Sequence, residues 1–206
     1  MAVLGFIGFE ALFQSIPAIQ QIGMSMARGW TWLIVLGGFA FATGAVERWA
    51  MTSRHKGQQY MALTLFVALY AFLFVPLIHV ALKYMPGMGP SMLMQAGVIT
   101  FGLFTGLSAV VLLTGKDFSF LRTGIMIGGF IAIGLIVAGV AFGFDLGVWF
   151  SGAMVALAAA SILYQTSNIL HHFGTEQYVA ASLGLTGSLL MMFWYVLQLI
   201  MSFSGD

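Results

Sequence analysis

Four polar residues enter an apolar run near the C-terminus of this chain. Ser161, Gln165, Asn168 and His172 follow one another at steps of four, three and four, which puts them on one face of a helix. A hydroxyl, two amides and an imidazole on such a face can tie neighbouring helices together or line a polar cavity. They cannot face lipid. Glu10 is the second candidate, the only carboxylate near the middle of an apolar stretch, with Gln14 one turn further on the same face. An ionised acid there costs about 2.5–3.5 kcal/mol on insertion scales. Glu10 is therefore expected to be neutral, paired or open to a water-filled cavity, in either a proton or transport role or a hydrogen-bonded packing role.

Three histidines complete the inventory. Adjacent residues on a helix diverge by about 100°, so His171 and His172 are not expected to chelate a metal. Either can titrate near neutrality or complement the negative end of a helix. His79 follows Pro76 by three residues, as a structural histidine or as part of a loosened gate. No H-E-x-x-H, G-x-S-x-G or phosphate-binding loop occurs, and no paired acids lie within a span. No enzymatic activity, cofactor or metal is expected.

The elements that must position these residues follow from composition. Of 206 residues 61% are hydrophobic and 6% charged, against about a quarter charged in soluble domains; mean hydropathy is +1.02. An all-α membrane protein is expected, with the lipid bilayer as its main partner. The formal charge of +1 offers no basis for nucleic-acid binding. With no cysteine, disulfides and thiolate metal sites are excluded. No cleavable signal peptide is evident at the N-terminus.

A span needs about 20 mostly apolar residues, and the sparse charges divide the chain into seven: about 2–22, 30–50, 59–83, 92–113, 119–142, 146–170 and 177–203. Together they form a single seven-helix domain over 1–206. The run from Pro86 to Pro90 is expected to break the chain between spans three and four. Asp117 or Ser119 is expected to cap span five and Asp145 span six, with Gly174 as the C′ residue of span six and Thr175 as the N-cap of span seven. Alternate loops hold Arg48, Arg54, Lys56, Lys116 and Arg122 against only Arg28 and Lys83. The positive-inside rule then places the N-terminus in the cytoplasm and the C-terminus outside. Glycine and alanine pairs four apart (Gly102 and Gly106, Gly124 and Gly128, Gly139 and Gly143, then Gly152, Ala156 and Ala160) fit close helix contacts.

Two strings carry a family likeness. T-G-K-D-F-S-F-L at 114–121 and I-L-Y-Q-T-S-N-I-L-H at 162–171 resemble the Bax inhibitor-1 family, whose members contain the transmembrane BAX inhibitor motif. The second string is most similar to the bacterial YccA-type branch. Tyr178, A-A-S-L at 180–183 and P-L-I at 76–78 also fit. The likeness runs from about span two to the C-terminus. Members usually carry a longer arm before the first span, so Met1 is expected to be a late start.

The resemblance implies a seven-helix bundle with the last helix central. Some members resemble pH-sensitive calcium leak channels that use two aspartates, on helices six and seven, latched by a helix-two arginine. Close carboxylates titrate as a pair and suit calcium. Transferred to this chain, the aspartate positions fall on Gln165 and Ser188, and the arginine on Arg48 or Arg54, with Glu47 as its neighbour. Neither Gln165 nor Ser188 ionises near neutral pH. The resemblance therefore favours a non-enzymatic, multi-pass protein of the bacterial inner membrane, a modulator or partner of an FtsH-type AAA protease in stress response. The alternative is a calcium or proton leak pathway. A third reading is a structural subunit of a larger complex, since span one is polar on one side.

Overall fold

The computed structural model describes residues 1–53, 55–84, 87–174 and 177–204. Among them every regular element is an α-helix: α1 Ala2–Ser15, α2 Pro17–Met26, α3 Gly29–Thr52, α4 Lys56–Tyr84, α5 Gly89–Thr114, α6 Leu121–Phe142, α7 Gly147–His171 and α8 Tyr178–Ser204. Six helices, α3 to α8, are each long and apolar enough to cross a bilayer, and α1 with α2 makes a seventh if that bent pair is one span.

That bend corrects the continuous first span of about 2–22. Proline has no N–H and its ring clashes with the preceding turn. Ile16, just before Pro17, is pushed into extended geometry (φ −105°, ψ 106°), and the chain turns by 98° between the helices. Pro17 then opens α2 at its first turn, where no N–H is needed. Pro76, by contrast, sits inside α4 without ending it.

The remaining limits lie within three residues of the expected ones, while several caps differ. The break between spans three and four falls where expected, α4 ending at Tyr84 and α5 starting at Gly89, with Pro90 in the first turn of α5. Neither Asp117 nor Ser119 caps α6. Its N-cap is Phe120, and Asp117 is spent on the turn before it. Asp145 does support α7, accepting the Gly147 N–H at 3.2 Å, one residue ahead of the N-cap Leu146. α7 closes on His172 with φ −124°, so Gly174 lies beyond the C′ position. The left-handed glycine caps occur instead at Gly115 (φ 61°) and Gly143 (φ 72°), which end α5 and α6. Thr175, Arg54 and Pro86 lie outside the described residues.

The chain divides into two compact units, Met1–Pro86 with Thr175–Thr186, and Gly87–Gly174 with Gly187–Asp206. In the first, α1, α2 and α3 all pack on α4. α4 is apolar on every side, as a helix packed on one face and open to lipid on another must be; Ala62, Phe66, Ala71, Phe74, Val75 and Ala81 are buried, while Met61 and Leu65 are exposed. Edge-to-face ring pairs join it to α1 (Phe6–Phe74, centroids 5.1 Å) and to α3 (Phe39–Tyr70, 4.8 Å). In the second unit α7 takes contacts from both α5 and α6. α6 buries only Ala132 and Gly139, leaving most of its surface for lipid.

The close approaches coincide only in part with the glycine pairs legible in the sequence: Gly128 and Gly139 are tight, and so is Gly23, which belongs to none of them. A Cβ on Gly23 of α2 would stand 2.9 Å from Val75 Cγ1 and 3.3 Å from Val75 Cβ. Valine is stiff at χ1 and cannot yield. On Gly128 of α6 it would meet only the mobile end of Leu157, and on Gly102, Gly106, Gly124 and Gly152 it would meet nothing within 4 Å. Gly23→Ala should therefore destabilise the protein in detergent by roughly 1–3 kcal/mol through overpacking. Gly102→Ala should stabilise it by up to about 1 kcal/mol from helix propensity. Thermal unfolding of both variants checks the contrast, and equal shifts would contradict the Gly23 contact.

Candidate functional site

The polar face of α7 is held by a different set of residues from the predicted stripe. Ser161 is buried, Gln165 and Asn168 are half-buried, and His172 is exposed. The contacts are made one position along. Thr166 Oγ1 lies 3.3 Å from Ser108 Oγ of α5, and Ser151 Oγ donates to Gln198 Oε1 of α8 at 3.3 Å. The centre of the arrangement is Ser167, which is fully buried. Its Oγ accepts the Phe118 N–H at 2.9 Å and lies 3.3 Å from Asp117 Oδ1 and 3.5 Å from His171 Nδ1.

His171 and Asp117 extend this centre into a clasp. His171 Nδ1 is 3.0 Å from the Ser167 carbonyl one turn back, and Nε2 is 3.2 Å from the Gly115 carbonyl at the end of α5. Carbonyls only accept, so only a doubly protonated ring can donate to both at once. A neutral ring satisfies one and turns a lone pair on the other. Asp117 Oδ1 accepts from Ser119 Oγ at 2.6 Å and from Ser119 N at 2.8 Å. Those two donations chiefly hold its carboxyl below the ordinary carboxylate range, with Ser167 and the nearby His171 acting in the same direction. The ends of α5 and α7, on one membrane face as spans separated by one crossing must be, are held side by side by these bonds. Sequence reading had the T-G-K-D-F-S string as a family mark and Asp117 as a cap. It missed Ser167, because a serine one place off a polar stripe looks like any small packing residue.

The other candidates are distributed over both units. Glu47 is half-buried and Arg48 exposed on α3, in the first unit, whereas Gln165 and Ser188 belong to the second, where Ser188 is buried. Tyr178 belongs to the first unit. Its hydroxyl is 3.3 Å from Tyr60 Oη, and Lys56 Nζ stands 5.0 Å from the centre of its ring. His79 is buried. The His171 and His172 rings are 6.3 Å apart and tilted by 60°. Among the described residues no three His, Asp or Glu side chains gather as metal ligands would.

Among the described residues three buried side-chain oxygens have no hydrogen-bond partner, Glu10 Oε1, Gln59 Oε1 and Thr100 Oγ1, and Glu10 is the one that can ionise. Its side chain is buried within the first unit, and Oε1 has no hydrogen-bond partner. Oε2 faces Gln14 Nε2 at a long 3.4 Å, while that amide donates to the Val75 carbonyl of α4 at 3.0 Å. Gln20, on α2 beyond the break, donates through Nε2 to the Gln14 carbonyl. Gln14 thus links Glu10 to a carbonyl of α4, and Gln20 ties α2 back to the Gln14 carbonyl across the Pro17 bend.

Apolar helices of spanning length with polar groups turned inward define a multi-pass α-helical membrane protein. Comparison with known sequences narrows the class. The chain matches the family described as Inhibitor of apoptosis-promoting Bax1 over residues 1–205. It is 30% identical to the uncharacterized protein PA2604 of Pseudomonas aeruginosa over 209 residues, covering 98% of this chain and 88% of that one. It is also 29% identical to the Golgi anti-apoptotic protein of vaccinia virus (strain Lister) over 116 residues, 52% of this chain and 46% of the viral one. This chain belongs to the Bax inhibitor-1 family.

The clasp has a pH sign. Because Asp117 is depressed in the folded state, its contribution is present above the ordinary carboxylate value of 3.8 and is lost as pH falls through the lower folded value. Protection of the Phe118 amide from hydrogen exchange, corrected for intrinsic rates, should fall in that acid range. Ser167→Ala should remove the protection at neutral pH, as an unpartnered buried N–H costs about 1–3 kcal/mol.

Proposed function

We propose that this protein acts without enzymatic chemistry, as a multi-pass protein of the bacterial inner membrane that modulates membrane protein quality control, with an FtsH-type AAA protease as partner. One observation carries the reading: α7 keeps a polar face and a clasp, while the positions onto which the resemblance carries the leak mechanism's acid pair are Gln165 and Ser188, which do not ionise. A bundle that loses its charge pair but retains its ties has kept what association needs. The broad apolar surfaces of α5 and α6 provide area for lipid or for another membrane protein. The vaccinia relative is named for an anti-apoptotic role, and a protective stress role is the corresponding reading here. Purification of the tagged chain from native membranes in mild detergent should recover an AAA protease or its associated membrane proteins. Deleting the chain should change the turnover of membrane substrates. Recovery of the chain alone, with turnover unchanged, would refute the reading.

A second reading, a proton or cation leak, is favoured by the orphaned Glu10 oxygen at the Pro17 bend. Liposomes loaded with a calcium or pH dye test it. Flux from wild type supports a leak that does not use the acid pair. Flux only after Gln165→Asp with Ser188→Asp identifies a channel scaffold lacking its sensor. Silence from both excludes a leak.

A further inference from the structure

Glu10 is unsatisfied in either protonation state. As a carboxylate it has one distant donor, Gln14 Nε2, whose better bond goes to the Val75 carbonyl. As an acid its O–H has no acceptor at Oε1. Buried polar groups are nearly always paired, so an orphaned carboxyl oxygen in a spanning helix marks a place where something else binds. The surroundings define what that is. Phe6, one turn before Glu10, is packed against Phe74, and Gly5 approaches Val67. The polar groups nearby are amides and carbonyls of Gln14, Gln20 and Val75. On α4, Pro76 has no N–H to give to the Phe72 carbonyl.

No compensating charge is at hand. α2 carries no titratable side chain. Of the titratable groups of α4, Tyr70 lies near Glu47 and His79 near Lys83, while the side chain that reaches Glu10 is Gln14. A calcium ion needs 6–8 oxygens, usually several of them carboxylates. One carboxyl among neutral amides suits the smallest cation. We propose that Glu10 is a proton-binding and proton-exchanging site, faced by Gln14, whose amide is anchored on the Val75 carbonyl, and opened toward solvent by the Ile16–Pro17 break. The chemistry is reversible O–H dissociation at a carboxyl oxygen. The site deepens the leak reading, but proton exchange at Glu10 does not depend on net flux.

The test uses the full chain in liposomes. An apolar carbodiimide, dicyclohexylcarbodiimide, reacts with protonated carboxyls. The O–H adds across one C=N bond to give an O-acylisourea, which rearranges to a stable N-acylurea, so the residue gains the whole reagent. Peptide mass spectrometry at neutral pH should show Glu10 labelled at least tenfold more than Asp117 or Asp145, with a water-soluble carbodiimide leaving it unlabelled. Infrared spectra should contain a protonated-carboxyl band that is absent from Glu10→Gln and shifts in D2O well before the span amides exchange. Absence of label, or a band unmoved after the loops have exchanged, overturns the proposal. Both measurements read wild type, so a poorly folded variant does not decide the label. A dye-based proton flux assay on the same vesicles separates the two ideas: label and band shift without flux keep the site and discard the leak, and flux with Glu10 unlabelled does the reverse.

Discussion

Everything in this protein is subordinate to the absence of water in the bilayer core. A peptide N–H or C=O left unpaired there costs several kcal/mol, so the backbone must satisfy itself within each span. This explains why all regular structure among the described residues is helical. It also explains why the interruption at Ile16–Pro17 is surrounded by side chains that take up the freed carbonyls. Ser15 donates to Leu12, the Ile16 N–H to Phe13, and Gln20 to Gln14. A break in a span is tolerated where such groups cover it, and Gln20 is one of the groups that cover this one.

The same constraint governs polar side chains. A hydroxyl in a membrane helix most easily bonds to its own backbone one turn back, as Thr43 and Thr64 do. Those that cross to another helix become ties, individually modest at about 0.6–2 kcal/mol. Ser108 with Thr166, and Ser151 with Gln198, are ties of this kind. Ser167 goes further, because it takes a backbone N–H from the α5–α6 loop and so joins the end of one span to the turn before another. Asp117 and His171 complete that joint at the margin, where charge is affordable.

Charge is scarce within the spans of this chain. Its mid-span acid, Glu10, lies on the broken first span. Ionisable chemistry in a span is costly enough to be kept only for use or strong pairing. Family membership accounts for the helical membrane architecture, while the clasp and Glu10 are features of this chain's own packing.

Composition and charge spacing alone were sufficient for the class and most helix limits, because lipid solvation is a one-dimensional requirement. It sums along the chain and needs no partner. The strings at 114–121 and 162–171 likewise announced the family, since they are local. What could not be read locally is which member of a polar run meets which neighbour. Gln165 and Asn168 have the better helical spacing, yet Ser167 makes the joint, because a hydrogen bond depends on a donor brought within 3 Å from 49 residues away. Gly23 was passed over among 26 glycines for the same reason: only the packing of α2 on Val75 distinguishes it. Pro17 was visible as a potential breaker, but so was Pro76, and α4 runs on through one while α1 stops before the other. The sequence determined where the chain would enter lipid; the tertiary structure alone decided which polar atoms would be left without a partner there.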